Sequence, residues 1–228
     1  MSYKRLTRTV DLTSATTGEL QFSTSYETET DWDYLFVEAH EVGTDDWTTL
    51  PDANGHTDTD TGASCPAGWI EQLHPFLAHY QTFVSDEECT PTGTTGEWNA
   101  ATGASDGSEE WAVDLSAYAG KQVELSISYV SDWGTQGLGV FIDDARVFAN
   151  GAPVAETSFE TDLGGWTVAG PAPGSATNTT DWARSQAAFD EGGIVVTPDT
   201  VYTGFGLEGL APAVRDDLTK RSLDHLLG

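Results

Sequence analysis

The sequence predicts a mainly β protein: an antiparallel jelly-roll β-sandwich followed by a C-terminal strand and helix. Three observations point there. Several short runs alternate apolar and polar residues with period two, the connections are rich in Gly, Thr, Ser and Asp, and no convincing helical periodicity occurs before residue 207.

Residues 6–12 open the pattern, and Leu20, Phe22, Thr24 and Tyr26 continue it in alternation with mostly polar neighbours. Tyr34-Leu35-Phe36-Val37-Glu38-Ala39 follows as a third strand, each with one face expected in a core. Residues 51–110 break the rhythm with both cysteines, the turn-rich Asp52-Ala53-Asn54-Gly55 and an apolar stretch over 69–83, and read as an insertion between strands. Strands return at 111–115, at 123–130 and, after a Gly-rich turn, at 140–148. A composition boundary near Asn150-Gly151-Ala152-Pro153 divides a sandwich domain, 1–150, from a second region, 151–228. There, short strands are expected at 158–160, 165–168, 193–197 and 201–207. Val214, Leu218, Leu223, Leu226 and Leu227 then recur at helical spacing over 212–227, with Lys220 and Arg221 toward the helix C-terminus. A strand followed at once by such a helix has the grammar of an α/β domain, of which the tail would be an incomplete part.

Charge excludes several partners. With 37 Asp and Glu against 9 Lys and Arg, the formal net charge is −28, which disfavours nucleic acid and anionic membranes. Eight Trp and 11% aromatic residues distinguish the chain from an acidic disordered tail. No apolar run approaches the ~18 residues of a membrane span, and the N-terminus lacks a signal-peptide core. An exported protein would have lost its leader. Cys65 and Cys89, in a loop-like region, read as one disulfide and hence an oxidising compartment, with two reduced thiols as the alternative.

Calcium takes six to eight oxygens from carboxylates and carbonyls. Glu27, Glu29, Asp31 and Asp33 would project to one side of an extended segment, and Asp143-Asp144 form a second acidic pair on a late strand. Trp98 and Trp133, flanked by Asn99, Asp132 and Gln136, are candidates for stacking on a sugar face. Neither a Gly-x-Ser-x-Gly elbow nor a phosphate-binding Gly-rich loop is present. The five histidines supply neither His-Glu-x-x-His nor His-x-x-Glu, so no zinc is expected in this chain.

The segments Asp31-Trp32-Asp33-Tyr34-Leu35-Phe36-Val37-Glu38, Trp47-Thr48-Thr49-Leu50, Asp114-Leu115-Ser116-Ala117-Tyr118-Ala119-Gly120-Lys121 and Gly139-Val140-Phe141-Ile142-Asp143-Asp144-Ala145-Arg146-Val147 occur in an order that resembles a known module. It is the MAM-like jelly roll of immune-inhibitor-A-type secreted metallopeptidases, also attached to bacterial secreted zinc carboxypeptidases of the carboxypeptidase A class. The resemblance covers roughly residues 6–150. Residues 203–210 are similar to a segment near the C-terminus of the carboxypeptidase-linked chains, within an amidotransferase-like α/β domain. The resemblance implies a structural calcium site, carried over to Glu29, Asp33, Asp143 and Asp144. It also implies a secreted, non-catalytic accessory region partnered by upstream domains of the same polypeptide, which stabilises the parent peptidase or positions it on a protein or glycan substrate. The alternative function is an independent carbohydrate-binding module.

Overall fold

The computed structural model describes residues 1–135, 137–185, 194–197, 200–203, 219–220 and 222. The chain divides into two compact units, Met1–Arg184 and Ser185–Gly228.

The first unit is mainly β. Its strands are β1 (Ser2–Asp11), β2 (Gly18–Glu27), β3 (Tyr34–Glu41), β4 (Thr48–Leu50), β5 (Thr82–Ser85), β6 (Glu88–Thr90), β7 (Glu109–Asp114), β8 (Gln122–Ser131), β9 (Gly139–Ala149), β10 (Ala152–Thr157) and β11 (Thr167–Val168). A five-stranded antiparallel sheet runs in the order β11-β1-β8-β3-β4 and a four-stranded one in the order β10-β9-β2-β7. The two sheets share one core in a sandwich-like arrangement. Leu6, Leu35, Val37, Val123, Leu125 and Ile127 come from the first sheet, and Leu20, Phe22, Trp111, Val113, Ala145 and Val147 from the second. In β2 the buried residues alternate with partly exposed ones along the strand, as period two requires of a sheet with one wet face.

The five-stranded sheet departs from that expectation. Tyr34 to Ala39 of β3 are all buried, because the segment between β4 and β7 folds over the outer face of the sheet. A short helix α1 (Trp69–Leu73), a 3₁₀ turn (Pro75–His79) and the β5–β6 hairpin lie in that segment. A second core forms beneath it from Tyr3, Tyr34, Phe36 and Val130 of the sheet and Trp47, Ile70, Phe76, Leu77, Tyr80 and Trp98. The Cys65–Cys89 disulfide closes a loop within this cover, worth on the order of 3 kcal/mol through loop-closure entropy.

Polar residues are buried under the cover as a connected set. Glu38, fully buried, accepts hydrogen bonds from the hydroxyls of Tyr3 (2.7 Å), Tyr80 (2.6 Å) and Ser128 (2.7 Å). Ser126 joins through Ser128 at 2.7 Å. Burial, and then the charge of Glu38, push the ionisation of Tyr3 and Tyr80 well above the ordinary tyrosine range, so both remain donors.

His74 ties three segments together. Its Nε2–H donates to the Ser131 carbonyl (3.0 Å) and its Nδ1 accepts from the Ser175 hydroxyl (2.9 Å). This satisfies the neutral ring, and burial pulls its pKa down to about 4. Because the unfolded chain protonates first, at about 6.5, the stability contributed by the neutral ring is full above that pH. It is lost as pH falls toward 4, a loss of about 3 kcal/mol when complete. An NMR titration should therefore find the His74 imidazole still neutral at pH 5.5; a midpoint near 6.5 would contradict the buried, fully bonded ring.

Asn150-Gly151 proves to be the two-residue turn of the β9–β10 hairpin, both residues at positive φ, the geometry that favours Asn-Gly. Residues 152–184 belong to the same compact unit as the strands before them: β10 pairs with β9, β11 with β1, and the Asn178 side chain bonds both backbone groups of Tyr3. Residues 158–160 form no strand. Phe159 sits at φ 55°, and pairing with β9 ends at Thr157.

Within the second unit, β12 (Ile194–Thr197) and β13 (Thr200–Thr203) form an antiparallel hairpin. Thr219, Lys220 and Ser222 are helical, and the rest of the helix expected over 212–227 lies outside the described residues, as do residues 204–210.

Candidate functional site

Between β2 and β3 the backbone turns sharply. Asp31 takes φ 66°, and the Trp32 and Asp33 N–H groups donate to the Glu29 carbonyl at 3.2 and 2.9 Å. This turn, rather than an extended strand, places residues 29 and 33 together. Asp132, the first residue beyond β8, completes the group: one carboxylate oxygen from each of Glu29, Asp33 and Asp132 lies within 4.8 Å of the others. Asp33 is fully buried and Asp132 is 2% exposed.

The site is organised by short polar contacts. The Tyr129 hydroxyl donates to Asp33 Oδ2 (2.8 Å), the Asp132 N–H donates to Asp33 Oδ1 (3.3 Å), and the Gly134 N–H donates to Asp132 Oδ1. Gly134 is needed for close approach: a Cβ there would stand 2.9 Å from Asp132 Oδ1 and 3.0 Å from Glu29 Oε2.

Three carboxylates this close repel one another, and among the described residues none of them pairs with Lys, Arg or His. Burial raises the Asp33 pKa to about 6 against the pull of the Tyr129 and Asp132 hydrogen bonds, and the charges of Asp132 and Glu29 push it further up. Such a group is relieved either by a proton or by a cation. Oxygen donors alone suit a hard ion such as calcium, and the turn carbonyls and water can complete its shell. Among the described residues this is the one cluster of three metal-binding side chains, and it contains no histidine or cysteine.

The other residues singled out by the sequence fall elsewhere. Asp143 and Asp144 lie at an irregularity in the β2–β9 pairing, where register slips between Gln21 and Ser23; Asp144 is exposed at φ 48°, and its N–H donates to Asp143 Oδ1. Asp143 pairs with Ser23, four residues before Glu27 at the site end of β2, or roughly 13 Å along the strand. The pair therefore does not join Glu29 and Asp33. Glu27 and Asp31 are exposed and outside the group as well.

Trp98 is not a surface platform. It is fully buried in the second core, edge-on to Tyr34, with its Nε1–H donating to the Asp60 carbonyl at 2.9 Å. Trp133 is 57% exposed in the loop after β8, next to Asp132. Gln136 lies outside the described residues. Asp132 carries a signal legible in the sequence, since an Asp two residues before a Gly commonly accepts the Gly N–H in a tight turn. What brings it to Glu29 is the strand pairing of β3 with β8, in which Tyr34 stands opposite Val130.

No protein-family model and no curated protein matches this chain. Among the described residues, no helix is long and apolar enough to cross a membrane.

Proposed function

We propose that this chain is a non-catalytic, calcium-stabilised jelly-roll module of a secreted protein, of the kind that accompanies zinc carboxypeptidase-like metallopeptidases. The observation behind the cation reading is the Glu29, Asp33 and Asp132 group, with both aspartates buried, Glu29 partly so, and no cationic partner among the described residues. A divalent ion there would join the turn after β2 to the loop after β8, fixing one end of the sandwich. The disulfide supports an oxidising compartment, since cytosolic thiols are kept reduced. The four sequence segments given above support the family reading and, with it, upstream domains of the same polypeptide as the partner. In that role the sandwich would act as a rigid spacer, and its loops would stabilise the peptidase or position it on substrate.

Location of the ion tests this reading. Crystals soaked in a calcium-mimicking lanthanide should show one strong anomalous peak within coordination distance of Glu29, Asp33 and Asp132. A peak confined to Asp143 and Asp144, or none, would refute the assignment.

A further inference from the structure

Three tryptophans from three separate segments meet beside the acidic group. Trp32 lies on the turn after β2, Trp69 begins α1 in the covering segment, and Trp133 follows Asp132. The Trp32 and Trp69 ring centroids are 5.1 Å apart at 50°, and those of Trp69 and Trp133 are 4.9 Å apart at 31°. The rings form a tilted row with its outer end in water: Trp69 is 38% and Trp133 57% exposed. Elsewhere in this unit Trp47, Trp98, Trp111 and Trp166 are buried and Trp182 is partly buried, so exposure on the scale of Trp133 is not how the fold treats indoles in general. The row is also held in place. Cys65 is disulfide-bonded four residues before Trp69, and the Ala63 and Ser64 N–H groups both donate to the Asp31 carbonyl at 3.1 Å, docking the approach to α1 onto the turn that carries Trp32.

We propose that this row is a stacking ledge for a neutral oligosaccharide, with Trp133 as the outer platform and Trp69 beside it. Size argues against a protein partner. The two exposed rings offer about one tryptophan's worth of surface, on the order of 200 Å², against roughly 800 Å² per partner in a stable protein interface. Charge argues against polyanions: at −28, with three carboxylates adjacent, nucleic acid and anionic lipid are repelled although a base could stack on an indole. A cationic peptide would draw on the exposed Asp31 beside Trp32, and hexalysine is therefore included in the test as the competing occupant. A pyranose meets the remaining description, with an apolar C–H face for the ring and hydroxyls for the polar edge. The proposal stands apart from the cation reading, because the rings touch one another directly.

The test is tryptophan fluorescence and calorimetric titration of the full chain with cello-, chito-, xylo-, manno- and malto-hexaose, and with hexalysine as the charged competitor class. At least one neutral hexaose should bind, and Trp133→Ala and Trp69→Ala should each weaken it about tenfold or more with little change in melting temperature for Trp133→Ala. Failure of every hexaose, unchanged affinity in both variants, or binding of hexalysine alone would overturn the proposal.

Discussion

Replacing Glu38 by alanine should destabilise the first unit more than any other single polar substitution, by about 4 kcal/mol. The mechanism is loss of an acceptor rather than loss of charge. Three hydroxyls, from Tyr3, Tyr80 and Ser128, point at one buried carboxylate; when it is removed Ser128 keeps Ser126, but the two buried tyrosine hydroxyls lose their carboxylate acceptor. Each buried donor left unmade costs about 1 to 3 kcal/mol, and the vacated volume adds a cavity cost. Glu38→Gln keeps an acceptor oxygen but presents an NH₂ group to hydroxyls already arranged as donors, so it should recover part of the loss. Tyr80→Phe, which removes one donor and leaves the acceptor two others, should cost only about 1 kcal/mol. Urea unfolding of the three variants gives the order. Equal small losses in all three would mean that the cover over the five-stranded sheet is not held by this network.

Glu29→Gln should reverse the sign of its effect between the ion-free and calcium-loaded protein. Without an ion, ionised Asp33 is a burden. Its folded pKa, about 6, lies above its unfolded value, so its contribution to stability is greatest below pH 4 and is lost as pH rises through 6, by roughly 3 kcal/mol. Removing the Glu29 charge relieves part of that repulsion, and the chelator-treated variant at pH 7 should melt no lower than the parent. With calcium the order inverts. The parent gains about 2.7 kcal/mol at 100 times the dissociation constant, whereas the variant, missing one carboxylate of three, gains little. Glu124→Gln, a partly exposed position on β8 outside the group, should change neither condition appreciably. A Glu29 variant that keeps the full calcium response would detach Glu29 from the site.

The strands were legible because period two survives wherever one face of a sheet stays wet. β2 shows this, and β7 shows it in part, with Trp111 and Val113 buried and Glu110 and Asp114 outside. β3 and β8 were legible as strands but not for what covers them. In β8, alternation of Val, Leu and Ile with Ser suggests a wet second face, yet Ser126 and Ser128 are fully buried against Glu38. Nothing local distinguishes a serine facing water from one facing a buried carboxylate. Two of the three members of the acidic group are readable: alternation in an extended segment offers Glu27, Glu29, Asp31 and Asp33, the resemblance selects Glu29 and Asp33, and a tight turn at Asp31 is what joins them. Asp132 is nearly a hundred residues away in sequence and arrives only through the pairing of β3 with β8. Asp143 and Asp144 read as a second acidic pair that the resemblance joins to the same site, and the pairing of β9 with β2 holds them near mid-strand. Asn150-Gly151 has the composition of a domain boundary and of a hairpin turn alike, and the register of β9 with β10 decides for the turn.

Thermal melting separates a divalent cation held by Glu29, Asp33 and Asp132 from simple screening of charge. Chelator-treated protein should be melted alone, with millimolar calcium, with equimolar magnesium, and with sodium chloride at matched ionic strength. Calcium should give a specific rise of several degrees and magnesium a smaller one, because its tighter octahedral shell fits this site less well. An equal rise with sodium would reduce the effect to screening of the net charge of −28 and contradict the site.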